Sequence, residues 1–190
     1  MSIGGANLIG ALWIAWTIYW FVAARSAKED SRRESPASRA GHIVPLAIAA
    51  LLLWLPSLPG GFLCGRFLPS GPWTFYTGVA VLAFGLGFSI WARRVLGRNW
   101  SGIVTVKQDH ELVRSGPYRW VRHPIYTGLL IAFLGTAISR GEWRGLLAVL
   151  IVFAGFWRKL KLEERWMTET FGDAYLRYRA EVRALIPFVL

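Results

Sequence analysis

The most informative segment of the chain reads Gly116-Pro117-Tyr118-Arg119-Trp120-Val121-Arg122-His123-Pro124-Ile125-Tyr126 and leads directly into a long apolar run. Pro124 stands where a helix would begin, and proline is tolerated there because the first backbone N–H groups of a helix have no intrahelical partner. The other N–H groups of that turn, and the positive end of the helix dipole, would face the same place as Arg122 and His123. The segment therefore predicts an anion-binding helix entrance at a membrane boundary, suited to a small charged cofactor.

The surrounding sequence has the composition of a membrane protein. Its 190 residues are 54% hydrophobic, the mean hydropathy is +0.39, and the apolar residues form long runs separated by blocks of charge. The net charge of +11 does not indicate nucleic acid, because the basic residues flank apolar runs and no nucleic-acid motif accompanies them. The single cysteine, Cys64, excludes an intrachain disulfide and argues against a cysteine-rich metal site. Many tryptophans lie near the ends of apolar runs, where indole favours the membrane interface: Trp13, Trp20, Trp73, Trp100, Trp120, Trp143 and Trp157.

These runs predict an all-α integral membrane protein with about five transmembrane helices. The spans cover residues 7–24, 43–58, 73–92, 125–138 and 143–156. The last two are shorter than the roughly 20 residues of a full span and form a short helical hairpin. A cytoplasmic amphipathic helix over residues 159–183, interrupted near Phe171-Gly172, follows them. We expect one integrated domain, with three N-terminal spans in residues 1–92 and a catalytic region in residues 93–190.

Basic residues predict the orientation of the chain. They crowd the connection between spans one and two, the connection between spans three and four, and the C-terminal region, whereas the opposite side holds only Arg66, Arg140 and Arg144. The positive-inside rule then places the N-terminus outside, and the C-terminus with the active site at the cytoplasmic face.

Two charged groups are candidates for ligand binding. Arg122, His123 and the first helical turn could hold a carboxylate or a phosphate, although basic and aromatic residues also gather at interfaces for no chemical reason. Glu163 and Glu164 could hold the amino group of a zwitterion, although pairing with basic neighbours such as Lys159 along the helix is the simpler interpretation.

Weaker candidates lie on either side of these groups. His110 could act as a base, or the backbone near it could bond an adenine edge while Leu112 and Val113 cover the ring; a solvated histidine is the simpler interpretation. Tyr175, Tyr178 and Arg179 share a helix face that suits packing and phospholipid contact. The sequence has no familiar motif for a nucleophile, a metal or a phosphate-binding loop, which leaves chemistry based on positioning and electrostatics.

Taken in order, the C-terminal motifs resemble those of the isoprenylcysteine carboxyl methyltransferase family, which belongs with the membrane phospholipid methyltransferases. The residues that carry the resemblance are His110-x-Leu112-Val113, Gly116-Pro117-Tyr118, Arg122-His123-Pro124-x-Tyr126, Glu163-Glu164, Phe171-Gly172-x-x-Tyr175-x-x-Tyr178 and Ile186-Pro187. The resemblance begins near Asn99, and the first two spans share only hydrophobicity with the family.

The resemblance implies an S-adenosylmethionine-dependent methyltransferase acting on a lipid-like acceptor, most simply a carboxylate, with membrane lipids around it. Twelve residues would line the cofactor: His110, Glu111, Leu112, Val113, Pro117, Tyr118, Arg122, His123, Pro124, Tyr126, Glu163 and Glu164. Lys159, with Arg158 beside it, would orient the acceptor, where the family has an arginine; a lysine offers a point charge instead of a bidentate fork.

Other functions stay open at this stage. An amine acceptor, as in phospholipid N-methylation, must lose a proton and would need His110 or Glu164 as a base. A membrane reductase that binds a nicotinamide dinucleotide could use the same basic loop. A membrane scaffold without enzymatic activity would need none of these residues.

Overall fold

The computed structural model describes residues 3–25, 30–55, 61–97, 100, 105–107 and 112–189. Within these ranges the chain forms α1 (Ile3–Ala24), α2 (Pro36–Trp54), α3 (Pro72–Leu96), α4 (Pro124–Arg140), α5 (Trp143–Phe171) and α6 (Asp173–Glu181). Single 3₁₀ turns cover Phe62–Cys64 and Gly116–Arg119. The predicted helical architecture is confirmed. One small element adds to it, because β1 (Asp30–Arg33) pairs antiparallel with β2 (Thr105–Lys107).

Of the helices in the described ranges, three are long and apolar enough to cross a membrane: the α1 segment Asn7–Ala24, then α2 and α3. Helix α4 is also apolar but has only 17 residues. Their exposed surface is largely hydrocarbon, as in Ile14 and Phe21 of α1, which are 62% and 73% exposed. Lipid covers such side chains in a membrane, so the described helices support an integral membrane protein.

Helices α3 and α4 pack backbone against backbone. A Cβ atom added to Gly85 would lie 2.5 Å from the Ala132 nitrogen, and one added to Gly135 would lie 2.3 Å from the Leu82 nitrogen. Small residues permit this close approach, which provides van der Waals contact where lipid removes the hydrophobic driving force. The contact holds the start of α4 in a fixed position relative to α3.

Helix α5 is longer than expected. The last predicted span ended at residue 156, before a separate helix over residues 159–183, but α5 continues to Phe171 because no helix-breaking residue intervenes before Gly172. Gly172 has φ 52°, which ends α5 and begins α6. The hairpin turn between α4 and α5 likewise uses Gly141 with φ 66°. One rigid helix therefore carries both the apolar segment and the glutamate pair.

Helix α1 is attached to the bundle through polar contacts. The indole Nε1 of Trp13 donates to Thr136 Oγ1 at 3.1 Å, and that of Trp16 donates to Ser89 Oγ at 2.8 Å. At the far end, Arg93 Nη2 donates to the Ala23 carbonyl at 2.6 Å. These bonds set the rotation of α1, so that one face of an otherwise apolar helix is turned toward the bundle.

Candidate active site

The entrance of α4 is held by the C-terminal segment. Helix α4 begins at Pro124 as expected, with His123 as its N-cap. The N–H groups of Arg122 and His123 donate to the carbonyls of Arg183 (2.8 Å) and Ala184 (3.0 Å). These two backbone donors are therefore occupied by the protein and are not available to a ligand.

Arg122 is also committed to the protein. Its Nε and Nη2 donate to Glu164 Oε1 at 2.8 and 2.5 Å, and Nη1 donates to the carbonyls of Val182 and Arg179. Glu164 is buried, and its Oε2 lies 3.6 Å from Arg179 Nε. The arrangement ties α5 to the end of α6 and to the segment before α4.

His123 lies between the two glutamates. Its Nδ1 is 3.5 Å from Glu163 Oε2, and its Nε2 is 3.4 Å from Glu164 Oε1. An imidazole can donate from both nitrogens only when it is protonated. Burial would lower the pKa of His123, but the hydrogen bonds to Glu163 and Glu164 outweigh it and raise the pKa. The site thus favours an imidazolium between two carboxylates.

The pKa values of the two carboxylates shift in the opposite direction, below the usual value. Burial would raise the pKa of Glu163, but the hydrogen bond from His123 and the charge of Lys159 hold it below its usual value. Burial also opposes ionisation of Glu164, yet His123 and Arg122 lower its pKa to about 2. Both groups are therefore anions near neutral pH.

Glu163 has two further partners. Tyr126 donates its hydroxyl to Glu163 Oε1 at 2.5 Å, and Lys159 Nζ lies 4.0 Å from the same oxygen. The Tyr126 ring stacks between His123 and Phe156, with centroids 5.5 and 4.8 Å away. The expected pairing of Lys159 with Glu163 along the helix is therefore present, and it lies beside the proposed anion-binding histidine.

These groups line a cavity of about 410 Å³. The polar wall comes from Arg122, His123, Lys159 and Glu163, and the rest is largely apolar or aromatic. Of the predicted site residues the structure brings nine to this cavity: Leu112, Val113, Tyr118, Arg122, His123, Pro124, Tyr126, Lys159 and Glu163. The mixture of convergent charges and apolar walls is typical of a small-molecule site.

Other predicted residues lie elsewhere. Glu164 lines a second cavity instead of the first, and Pro117 is buried without lining either. Arg158 does not join Lys159, because the neighbouring position on a helix points about 100° away. Its Nη1 donates to the Ser38 carbonyl at 2.8 Å. His110 and Glu111 fall outside the described residues.

Sequence reasoning missed the aromatic wall of the cavity. Trp13, Trp16 and Trp20 of α1, together with Trp100, line it, although Trp13, Trp20 and Trp100 had been interpreted as interface residues. The 3- and 4-residue spacing of Trp13, Trp16 and Trp20 was an available signal, since it places them on one helix face. Tyr175 and Tyr178, expected to serve packing, line the cavity as well.

Comparison with known proteins places this geometry in a family. Residues 73–174 match the phospholipid methyltransferase family. The chain belongs to that family. The match covers α3, α4 and nearly all of α5, which carry much of the cavity wall, whereas the α1 tryptophans and Tyr175 and Tyr178 lie outside it.

Individual relatives agree with the expected isoprenylcysteine carboxyl methyltransferase branch. The chain is 38% identical over 96 residues to protein-S-isoprenylcysteine O-methyltransferase of Schizosaccharomyces pombe, covering 49% of this chain and 41% of that protein. It is 30% identical over 151 residues to the Homo sapiens protein of that name, covering 78% of this chain and 53% of the relative. The chain therefore spans about half the length of the curated relatives it matches.

A solved structure shows the same fold. The eukaryotic intramembrane Ras methyltransferase, an isoprenylcysteine carboxyl methyltransferase, superposes with a TM-score of 0.58 at 24% identity. The match covers 84% of this chain and 55% of that one.

Proposed function

We propose that this protein is an integral-membrane, S-adenosylmethionine-dependent methyltransferase whose acceptor is a lipid-like carboxylate. The observation that carries the proposal is the placement of His123 and Glu163 3.5 Å apart at the wall of one cavity. Membership of the phospholipid methyltransferase family, and similarity to proteins named as isoprenylcysteine O-methyltransferases, support the chemistry.

The cavity residues fit a zwitterionic donor. When bound, S-adenosylmethionine supplies an electrophilic methyl group on a sulfonium. Glu163 would accept hydrogen bonds from its ammonium group and the His123 imidazolium would donate to its carboxylate, in place of the ion pair that joins these two residues. Tyr118, Leu112 and Val113 cover the adenosine, and the α1 tryptophans extend the apolar wall.

Lys159 is the residue that we propose orients the acceptor. It is buried at 8% exposure and lines the cavity beside Glu163. An ammonium there attracts a carboxylate and holds it near the reacting methyl. The acceptor carboxylate is already ionised at neutral pH, so no base would be required: a C–O bond would form as the C–S bond to the methyl group breaks, leaving a neutral thioether. An amine acceptor is less suited to this site, because Glu164 is held by Arg122 instead of facing the cavity.

The same proposal includes the membrane arrangement. Helices α4 and α5 complete a five-span bundle with α1, α2 and α3, the N-terminus lies outside, and the site faces the cytoplasm. The distribution of basic residues supports this orientation. The acceptor then reaches Lys159 from within the bilayer while the donor enters from the aqueous side.

Transfer of labelled methyl groups tests the proposal. Purified protein in detergent is incubated with methyl-labelled S-adenosylmethionine and either a total membrane-lipid extract or prenylcysteine analogues. We expect a labelled product that releases methanol in alkali, as a methyl ester does. His123→Ala and Glu163→Gln should abolish labelling, while Arg165→Gln, at an exposed position of α5, should not.

Three results would contradict the proposal. An alkali-stable label would indicate an amine acceptor. Binding of a nicotinamide dinucleotide without binding of S-adenosylmethionine would indicate a reductase. Absence of any cofactor binding, with both variants indistinguishable from wild type, would indicate a scaffold.

A further inference from the structure

A second cavity, of about 240 Å³, lies beside the first. Arg122 lines both cavities, whereas Glu163 lines only the first and Glu164 only the second. The walls come from the second half of α5, the end of α6 and the segment after α6. Neither the proposed donor nor the proposed acceptor uses it.

This cavity is rich in positive charge. Lys161, Arg179 and Arg183 line it in addition to Arg122, against one carboxylate, that of Glu164. Glu164 is already shared between Arg122 and Arg179. Among the described residues, no carboxylate lies within ion-pair distance of Lys161 or Arg183. The cavity therefore has cationic capacity that the protein itself does not neutralise.

The remaining lining is apolar and continues onto an exposed apolar surface. Leu160 and Ala184 are buried at its base, and the Trp157 ring lies 4.6 Å from Lys161 Nζ. Val189 also lines the cavity and is 72% exposed, next to Phe188 at 95%. Cations beside exposed hydrocarbon suit an amphiphile with a negative head and an apolar chain.

We propose that the second cavity binds the phosphate of an anionic phospholipid. Lys161, Arg179 and Arg183 donate to the phosphate oxygens, and the acyl chains lie against Phe188 and Val189. Phosphate matches this set because its several oxygens can accept from guanidinium and ammonium groups together. Basic side chains next to an apolar bilayer surface attract anionic lipids for the same electrostatic reason.

Lipid retention measured by native mass spectrometry tests this site. The full-length protein in micelles is titrated with phosphatidylglycerol or with phosphatidylcholine of the same acyl chains. We expect one phosphatidylglycerol molecule bound at least ten-fold more tightly than phosphatidylcholine. The double variant Lys161→Gln/Arg183→Gln should weaken phosphatidylglycerol binding at least ten-fold.

A matched control removes the same amount of charge elsewhere. Arg165→Gln/Arg177→Gln alters two exposed arginines of α5 and α6 that do not line the cavity, and it should keep wild-type lipid affinity. Equal losses in both double variants would overturn the proposal, because they would show diffuse attraction to net charge. Thermal unfolding of each variant verifies that the fold is intact.

A further arm distinguishes a lipid from a soluble phosphate. Glycerol 3-phosphate carries a phosphate without acyl chains, so we expect it to displace phosphatidylglycerol only at concentrations at least 100-fold higher. Displacement at equal concentration would assign the cavity to a soluble phosphate ester instead. This test uses no methyl transfer, so its outcome is independent of the proposed enzymatic activity.

Discussion

At the scale of single residues, the neighbours Glu163 and Glu164 have different surroundings. Successive positions on a helix are about 100° apart, so the two carboxylates leave α5 in different directions. Glu164 is 4% exposed and bonded to Arg122, whereas Glu163 is 19% exposed and lines the first cavity. We infer that Glu163 contacts ligand and that Glu164 maintains the structure around it.

The first prediction separates these two roles. Glu163→Gln should weaken S-adenosylmethionine binding at least ten-fold, about 1.4 kcal/mol, with a smaller fall in the unfolding temperature than Glu164→Gln. Glu164→Gln should mainly destabilise the fold, by about 3 kcal/mol, because it leaves the buried Arg122 without its counter-charge. Calorimetric titration and thermal unfolding in detergent measure the two effects. A larger loss of stability in Glu163→Gln would reverse the assignment.

The second prediction concerns acid stability. His123 and Arg122 overcome the effect of burial and lower the Glu164 pKa from 4.5 to about 2. A carboxylate with a lower pKa in the folded state stabilises the fold fully above its unfolded pKa, and loses that contribution as the pH falls toward the folded pKa. The unfolding temperature of the wild type should therefore fall as the pH drops from 4.5 toward 2.

Thermal unfolding at a series of pH values checks this expectation. Glu164→Gln carries no ionisable group at this position, so its unfolding temperature should fall less over the same pH range. Glu169→Gln, at an exposed position of the same helix, serves as a control and should follow the wild type. Parallel curves for wild type and Glu164→Gln would contradict the assigned role of the Arg122–Glu164 pair.

At the scale of elements, the contact between α3 and α4 positions the site. Helix α4 carries His123 at its N-cap and Tyr126 in its first turn, and it packs on α3 through Gly85 and Gly135. Any residue that separates these helices would displace His123 relative to Glu163 on α5. The distance between His123 and Glu163 across the first cavity thus depends on glycines in the α3–α4 contact.

The third prediction tests this dependence. Gly135→Ala should lower stability by about 1–3 kcal/mol, since the added Cβ would lie 2.3 Å from the Leu82 nitrogen. It should also weaken donor binding by displacing α4. Gly87→Ala is the matched control, because nothing lies within 4 Å of a Cβ there, and it should be neutral or slightly stabilising. Thermal unfolding and calorimetric titration measure both variants. Equal unfolding temperatures and equal donor affinities in the two variants would show that the α3–α4 contact does not determine the position of the site.

At the scale of the whole molecule, charge and hydropathy together define the relation to the membrane. The basic residues around the second cavity belong to the proposed cytoplasmic face, and so do the exposed apolar residues near the C-terminus. The connection between α2 and α3, with the 3₁₀ turn Phe62–Cys64, belongs to the proposed outer face. The candidate active site, the basic residues and the second cavity would therefore all lie at the cytoplasmic leaflet.

The fourth prediction tests the orientation. Single cysteines are introduced into a Cys64→Ser background at Phe62, which is 74% exposed, and at the exposed Arg177 of α6. A membrane-impermeant thiol reagent applied to intact cells should label Phe62→Cys and leave Arg177→Cys unlabelled until the membrane is opened. The reverse pattern would place the site on the opposite side, and labelling of both would exclude an odd number of spans between these two positions.

The sequence by itself determined the apolar helices, the start of α4 at Pro124 and the charged groups that line the first cavity. Runs of hydrophobic residues and helix-breaking residues are local signals, so they are legible without tertiary contacts. The motif order also identified the family. These features account for most of the fold and for nine residues that line the cavity.

Only the tertiary structure decided which sides of the helices face one another. Lipid and protein interior are equally apolar, so the spacing of the α1 tryptophans shows that they share one helix face but not whether that face meets lipid or the cavity. The choice was made by hydrogen bonds to Thr136 and Ser89, more than 70 residues away. In the same way, the direction of Arg158 and the division between Glu163 and Glu164 followed from the rotation of α5 against its neighbours, which depends on packing across the whole bundle.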